Sequence, residues 1–330
     1  MPLDSDDGDD DLFAPSNGAS SLLALLDDAV TATSAPIDVS ALVKAEPEHL
    51  DFVGRGIGDA GLSELATALS DAGDAAQARI STLDLERNAL SDDGALALAD
   101  IISDGGLPNL ELLSLSDNPI GVGGILAIGR LLSSRDLAGP RLPRLAVLNL
   151  NACAVGDDGL VALGVAIQIG ALASLKKLFV SRCGCGDPGL LGFSHALGSA
   201  RVALPALYEL WLSNNRFTDA GARAFFEALA SGAMASLGDL RLQFNRCGDG
   251  LVSALATAAE RGALSSLWYL GLNDNHFSDA GLAALATMLV DGALPRLEFV
   301  TASSEQSSDE AQLAVQNAFT RRPRPTRPCS

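Results

Sequence analysis

The chain has 330 residues, of which 48% are hydrophobic and 19% are charged, so it has ample apolar material for a buried core. Lys and Arg number 22 against 41 Asp and Glu, a formal net charge of −19, which argues against broad binding to nucleic acid or to an anionic membrane. Five cysteines are too few for a disulfide-stapled secreted scaffold, and we therefore expect a reducing, cytoplasmic location.

Acidic residues dominate the N-terminus. Six of the first eleven residues are Asp, so residues 1–20 are predicted to be disordered, because like charges repel and little surface can be buried. The stretch SLLALLDDAV, which starts at Ser21, predicts a short helix. Residues 21–46 are therefore assigned to a helical N-terminal segment.

An eleven-residue pattern then recurs along the chain. Seven copies follow L-x-x-L-x-L-x-x-N/C-x-φ, where φ is mostly apolar; they start at Ile80, Leu110, Leu145, Leu175, Leu207, Leu237 and Leu267. Degenerate copies begin at Pro47 and Leu297, and the mean spacing is about 31 residues. We therefore predict a single repeat array over residues 47–319, with about nine units and the degenerate copies as its caps.

Each copy predicts a strand followed by a helix. The leucines at positions 1, 4 and 6 are expected to point inward, while Asn or Cys at position 9, including Cys153 and Cys183, should bond the backbone of a neighbouring loop. Eight of nine copies carry Asp four residues after position 9, where it is expected to cap the helix. Since no unit covers its own leucines, we predict an α/β solenoid, a horseshoe with parallel strands on the concave face and helices on the convex face.

The C-terminal residues differ in charge from the rest of the chain. From Arg321 the sequence reads RRPRPTRPCS, with four Arg and three Pro. This composition predicts an extended, basic, Pro-rich tail over residues 320–330.

The repeated pattern resembles the leucine-rich repeats of the ribonuclease-inhibitor type, and the resemblance covers most of the chain. The same subtype occurs in ribonuclease inhibitor, in the sensing domains of NOD-like receptors and in Ran GTPase-activating proteins. The units here are longer and less regular than those of the mammalian inhibitor, and they contain few Cys. The resemblance implies an α/β solenoid, but a shared fold alone indicates little about function.

No catalytic, cofactor or metal site is predicted. The pair Cys183 and Cys185 lacks a second nearby pair of thiols, and both residues occupy repeat positions that other copies fill with Asn or apolar residues. The three His residues fall at unrelated points of the repeat, and the sequence supports neither a catalytic triad nor a phosphate-binding loop. The recurring Asp residues hold one repeat position, so we interpret them as part of the scaffold.

Aromatic residues concentrate on one part of the strand surface. Positions 3, 5, 7 and 8 must face the concave side or its edge. They hold no aromatic residue in the first four copies, whereas the last five copies hold Phe179, Trp211, Phe244, Tyr269 and Phe299. Such residues anchor many protein interfaces, although packing between strands would also account for aromatic residues there.

Charged residues complete the predicted surface. Lys177, Arg182 and Arg241 accompany the aromatic residues, whereas the N-terminal part of the same face carries Asp51, Asp84, Glu86 and Asp117, offset by Arg87. The hypothesis is a non-catalytic scaffold that binds a protein partner through the aromatic and basic residues. Replacing Trp211 and Arg241 with Ala is expected to weaken capture of that partner without lowering the melting temperature.

A pair of arginines leaves one alternative open. Arg55 and Arg87 lie near the N-terminal rim of the predicted array, and Ran GTPase-activating proteins use the same repeat subtype to accelerate hydrolysis on a small GTPase. Those proteins carry an acidic region after the repeats, whereas this chain has a basic tail. The alternative function is therefore a GTPase-activating regulator whose partner is a small GTPase.

Overall fold

The computed structural model describes residues 37–45, 48–136, 139–199 and 204–322, apart from the side chains of residues 135, 136 and 139. The predicted disordered segment 1–20, most of the predicted helical segment 21–46 and residues 323–330 of the predicted tail lie outside the described residues. Helix α1 (Val39–Lys44) falls within the predicted helical segment. The final helix runs to Arg321, two residues beyond the predicted end of the array.

Nine three-residue strands form one parallel sheet in the described part of the chain. They are β1 (His49–Asp51), β2 (Thr82–Asp84), β3 (Leu112–Ser114), β6 (Val147–Asn149), β7 (Lys177–Phe179), β8 (Glu209–Trp211), β9 (Asp239–Arg241), β10 (Tyr269–Gly271) and β11 (Phe299–Thr301). Their order in the sheet follows their order in the chain. A short antiparallel hairpin of β4 (Arg135–Asp136) and β5 (Gly139–Pro140) lies between β3 and β6, which explains why that unit is longer than its neighbours.

A helix follows each strand of this sheet. The helices are α2 (Gly58–Ala72), α3 (Asp74–Gln77), α4 (Asp92–Ser103), α5 (Val122–Ser133), α6 (Gly156–Gln168), α7 (Asp187–Ser199), α8 (Asp219–Ala230), α9 (Asp249–Glu260), α10 (Asp279–Val290) and α11 (Asp309–Arg321). None of the helices within the described ranges is both long enough and apolar enough to cross a bilayer. The alternation of parallel strands and helices confirms the predicted α/β solenoid.

The strand leucines form the core. Position 4 of each strand pairs with position 4 of the next, as Leu178 does with Leu210 and Leu210 with Leu240. These leucines and those at positions 1 and 6 are buried, because they lie between the sheet and the helices. Residues at positions 3, 5 and 7 lie on the opposite face of the sheet, which none of the described helices covers; we call it the open face.

In the seven regular units, the residue at position 9 links its unit to the preceding one, as predicted. The Asn118 amide donates to the Leu85 carbonyl at 2.8 Å, and Asn215 makes the same bond to Val180. Cys153 replaces Asn by donating its thiol to the Leu115 carbonyl at 3.1 Å, and Cys183 does so to Leu150. All four side chains are buried, so each bond satisfies a backbone group that water does not reach.

The recurring aspartates link units in the opposite direction, so the prediction that they cap their own helices is wrong. Each is the first or second residue of its helix, and hydroxyls such as those of Ser91 and Thr218 serve as caps. The carboxylates accept backbone N–H bonds from the next unit: Asp59 from Ser91, Asp92 from Gly121, Asp157 from Gly186, Asp187 from Thr218, Asp219 from Gly248, Asp249 from Ser278 and Asp279 from Ser308, at 2.6–2.9 Å. Partial burial raises the pKa of Asp59, but its hydrogen bonds outweigh burial and hold that pKa below its ordinary value.

Candidate functional site

The structure places the predicted aromatic residues on or beside the C-terminal half of the open face. Phe179, Trp211 and Tyr269 are half-buried in β7, β8 and β10, while Phe299 in β11 is exposed. Phe244 lies in the loop after β9, where its side chain is 52% exposed. The five side chains therefore share one surface and remain accessible to a partner.

An arginine links two of these rings. The guanidinium carbon of Arg241 lies 4.1 Å from the ring centre of Trp211 and 4.9 Å from that of Tyr269. On the other side of Trp211, the ring centre of Phe179 is 4.4 Å away. Cation–π and ring contacts of this kind fix side-chain orientation, so the four residues form one ordered row across β7 to β10.

Two aromatic residues that the sequence interpretation missed extend this row. Trp268 lies one residue before β10, with its ring centre 5.9 Å from that of Tyr269 and 6.4 Å from that of Phe299. Tyr208 lies one residue before β8, and its ring centre lies 5.5 Å from Lys177 Nζ. Both rings are partly exposed at position 2 of the motif. We call Phe179, Tyr208, Trp211, Phe244, Trp268, Tyr269 and Phe299 together the aromatic patch.

The position of Trp268 depends on Gly238, which lies one residue before β9 in the preceding unit. A Cβ atom on Gly238 would lie 2.6 Å from Cδ1 of Trp268, which is closer than two non-bonded carbon atoms can approach. Gly238 therefore leaves the space in which the indole lies against the sheet.

Two of the three predicted cations beside the aromatic patch, Arg241 and Lys177, are paired with buried acids. Arg241 donates to both carboxylate oxygens of Asp239, and its Nη2 lies 3.0 Å from Oδ2. Lys177 Nζ lies 2.7 Å from Oε2 of Glu209. Asp239 is only 2% exposed, so Arg241 compensates a carboxylate that water does not solvate. Contrary to the expectation from the sequence, the variant Trp211→Ala/Arg241→Ala should therefore melt at a lower temperature than the wild type, because removal of Arg241 would leave Asp239 buried and unpaired.

Burial and ion pairing shift the pKa values of Asp239 and Lys177 in opposite directions. Burial raises the pKa of Asp239 and outweighs the lowering effect of the Arg241 guanidinium, so the net pKa lies above the ordinary value. Burial lowers the pKa of Lys177, but its hydrogen bond to Glu209 and the carboxylate charge outweigh burial and raise the pKa. Arg182, the third predicted cation, is exposed in the loop after β7.

The N-terminal half of the open face is acidic, as predicted. Asp84 and Glu86 are half-buried, and burial, together with neighbouring carboxylates, raises the pKa of both. Arg87 is the basic residue among them: its Nε lies 3.5 Å from Glu86 and 3.9 Å from Asp117. Arg55 is exposed on the first unit. We call Asp51, Asp84, Glu86 and Asp117 the acidic section.

The cysteine pair lies in the core rather than at an accessible site. Cys183 and Cys185 are buried, and their thiols donate to backbone carbonyls. Burial raises the pKa of Cys185 to about 12 and also raises that of Cys183, so the thiols are held protonated. In the described part of the chain, no group of three or more His, Cys, Asp or Glu side chains is arranged to hold a metal ion.

Comparisons with known proteins match parts of the repeat array. A family model described as "Leucine Rich repeat" matches residues 80–99, 106–129, 145–164 and 264–286. No curated protein sequence matches the chain significantly.

Among solved structures, the fold is similar to internalin C2 of Listeria monocytogenes, with 21% identity over 73% of this chain and 92% of that one and a TM-score of 0.41. It is also similar to the internalin inlF of the same organism, with 14% identity over 86% and 88% and a TM-score of 0.33. Actin-binding site 2 of leiomodin-1 matches with 18% identity over 50% and 87% and a TM-score of 0.38. Matches as distant as these carry no information about a partner.

Proposed function

We propose that the chain is a leucine-rich repeat protein that binds a protein partner without catalysis; the support is the family model that matches four of its segments and the repeated strand–helix units, because such arrays present extended binding surfaces. The binding surface is the aromatic patch on the C-terminal half of the open face. The observation that carries the proposal is the row of contacting side chains from Phe179 through Trp211, Arg241, Tyr269 and Trp268 to Phe299.

The row is suited to binding because its side chains are ordered before a partner arrives. The pairs Arg241–Asp239 and Lys177–Glu209 hold the cations in place, and Gln243 accepts from the Ser213 hydroxyl at 2.7 Å beside Tyr269. Association costs conformational entropy for every side chain that it immobilises. A pre-ordered surface of large rings therefore loses less entropy on binding than a surface of free lysines and arginines.

The charge of the open face indicates the chemistry of the partner. Lys177 and Arg241 are already neutralised by Glu209 and Asp239, so the aromatic patch favours apolar side chains, whereas the acidic section favours Lys and Arg. We infer a partner that presents apolar residues to the aromatic patch and basic residues to the acidic section.

The proposal is tested by capturing partners from the native cell with two exposed patch residues removed. Proteins that the wild type enriches should bind the double variant Phe244→Ala/Phe299→Ala about tenfold or more weakly. Exposed aromatic anchors of this size contribute roughly 1.4 kcal/mol or more to binding. Quantitative mass spectrometry measures the loss.

Leu313→Ala is the matched control, because Leu313 is an exposed apolar residue on α11. All three proteins should share one melting temperature. Equal enrichment by the wild type and the double variant would contradict the proposal.

GTPase activation has less support. Arg87 lies 3.5 Å from Glu86 and 3.9 Å from Asp117, whose negative charges offset its own and disfavour the approach of a nucleotide phosphate, although Arg55 is exposed. Single-turnover GTP hydrolysis by a panel of small GTPases, with and without the protein, separates the two functions. A stimulated rate that Arg87→Ala abolishes would favour activation.

We also propose that the repeats belong to the ribonuclease-inhibitor-like subtype. The support is the full α-helix of 12 to 15 residues in most units, such as α4 and α2, together with the spacing of about 31 residues. The cytoplasmic location is likewise a proposal, and it rests on the composition of the chain.

A further inference from the structure

Exposed leucine and valine side chains form a stripe on the helix side of the array, away from the open face. Leu96 in α4, Val161 in α6 and Leu191 in α7 occupy the same repeat position and are 46%, 37% and 44% exposed. Leu126 holds that position in α5 and is half-buried, while Val122 and Val165 are exposed beside it. We call these six residues the helix-side stripe.

Contacts between neighbouring helices connect the stripe from α5 to α7. Cγ2 of Val161 lies 2.5 Å from the place that a Cβ atom on Gly192 of α7 would occupy. Cγ2 of Val122 lies 3.6 Å from the corresponding point at Gly156, at the start of α6. Because these side chains lie over glycines of the next helix, they fill the gaps between helices and present one apolar surface.

The stripe has a defined length. Its repeat position is occupied by Ser63 in α2, Arg223 in α8, Ser253 in α9 and Ala283 in α10. In α11 the position holds Leu313, which α8, α9 and α10 separate from α7. The contiguous large apolar residues at this position therefore lie in the four adjacent helices α4 to α7. With neighbouring helices about 9 Å apart, the stripe extends about 27 Å. That is the length of an α-helix of about 18 residues.

Folding does not account for the stripe. The buried faces of these helices already carry residues such as Leu98, Ile128, Leu163 and Phe193 in the core. Contiguous exposed apolar surface on a soluble domain commonly marks an interaction site.

Acidic residues flank the stripe and define its partner. Asp93 and Asp100 are exposed on either side of Leu96, and Asp158 is exposed beside Val161, with Arg130 as a counter-charge. The net charge of −19 disfavours a second copy of this chain as the occupant, and the acidic flanks disfavour an anionic membrane. We propose that the helix-side stripe binds an amphipathic helix of another protein whose apolar ridge is flanked by Lys or Arg.

A designed peptide tests this inference with the full chain. The probe is a fluorescent 18-residue helical peptide with leucines on one face and lysines flanking them, and binding is measured by fluorescence anisotropy. The double variant Val161→Ser/Leu191→Ser should weaken its binding at least tenfold, because both side chains are exposed and their loss removes apolar contact without disturbing the core. Leu313→Ser is the matched control and should bind as the wild type does.

Further controls distinguish binding at the helix-side stripe from binding at the aromatic patch. Phe244→Ala/Phe299→Ala should bind the peptide normally, since those residues lie on the open face. A peptide of the same composition with its leucines scrambled, and one with Glu in place of Lys, should both bind at least tenfold more weakly. Undiminished binding by either peptide or by the stripe variant would overturn the inference, as would stripe-dependent dimerisation in sedimentation or stripe-dependent binding to anionic vesicles without binding to the peptide.

Discussion

Replacing Asn118 with alanine is expected to lower the free energy of unfolding by about 3 kcal/mol. Its side-chain oxygen accepts from the backbone N–H groups of Asn88 and Leu90 at 2.9 and 3.0 Å. Its amide donates to the carbonyls of Leu85 and Leu115. All of these residues are buried, so alanine would leave several backbone groups of two adjacent units without partners. Urea denaturation measures the loss.

The chain provides a matched comparison for Asn118. Cys153 and Cys183 occupy the same repeat position and keep the bond to the preceding unit through sulfur. Asn118→Cys should therefore destabilise the protein less than Asn118→Ala. Asn317→Ala, on the exposed side of α11, should have almost no effect. A loss at Asn118→Ala no larger than that at Asn317→Ala would show that the position 9 side chains do not stabilise the stack.

Removing Arg241 is the second substitution with a large expected effect. Arg241→Ala leaves the carboxylate of Asp239 buried without its partner, and loss of one member of a buried pair costs about 3 kcal/mol. Asp239→Asn/Arg241→Ala should recover much of this loss, because no charge is then buried. Thermal or urea unfolding of the two variants measures the difference.

The effect of Arg241→Ala should depend on pH. Burial already holds the pKa of Asp239 above its ordinary value in the folded protein, and removal of the guanidinium raises that pKa further. A carboxyl group with a raised pKa binds its proton more tightly in the folded state than in the unfolded state, so the folded state gains stability as pH falls. The loss caused by Arg241→Ala should therefore be largest at pH 7 and shrink as pH falls toward about 4, the ordinary carboxyl pKa. A pH-independent loss would contradict this account.

The repeat spacing predicts most of the fold because each element recurs with the same residues. Buried leucines at positions 1, 4 and 6 require a strand with one covered face, and the apolar stretch after each motif requires a helix. The role of the aspartates could not be predicted in the same way. A carboxylate at the start of a helix can bond its own first turn or the next loop, and only the stacking of units, as at Asp187 and Thr218, decides between them.

The aromatic patch was predicted only in part. Phe179, Trp211 and Tyr269 alternate with the strand leucines, which places them on the open face. Trp268 lies one residue before its strand, and its orientation depends on the space that Gly238 leaves in the neighbouring unit. The sequence could have indicated the pair Asp239 and Arg241, because residues two apart in a strand share a face. The burial of Asp239, which lies between Glu209 and Tyr269 in the sheet, could not be predicted from that spacing.

The most direct test of binding through the open face is photo-cross-linking of the captured partner. A photoreactive phenylalanine is placed at Phe244, an exposed position of the aromatic patch, and separately at Leu313, an exposed position on α11. The partner should cross-link from position 244 and not from position 313, and mass spectrometry should identify apolar partner residues at the junction. Cross-links from position 313 with none from position 244 would contradict the account.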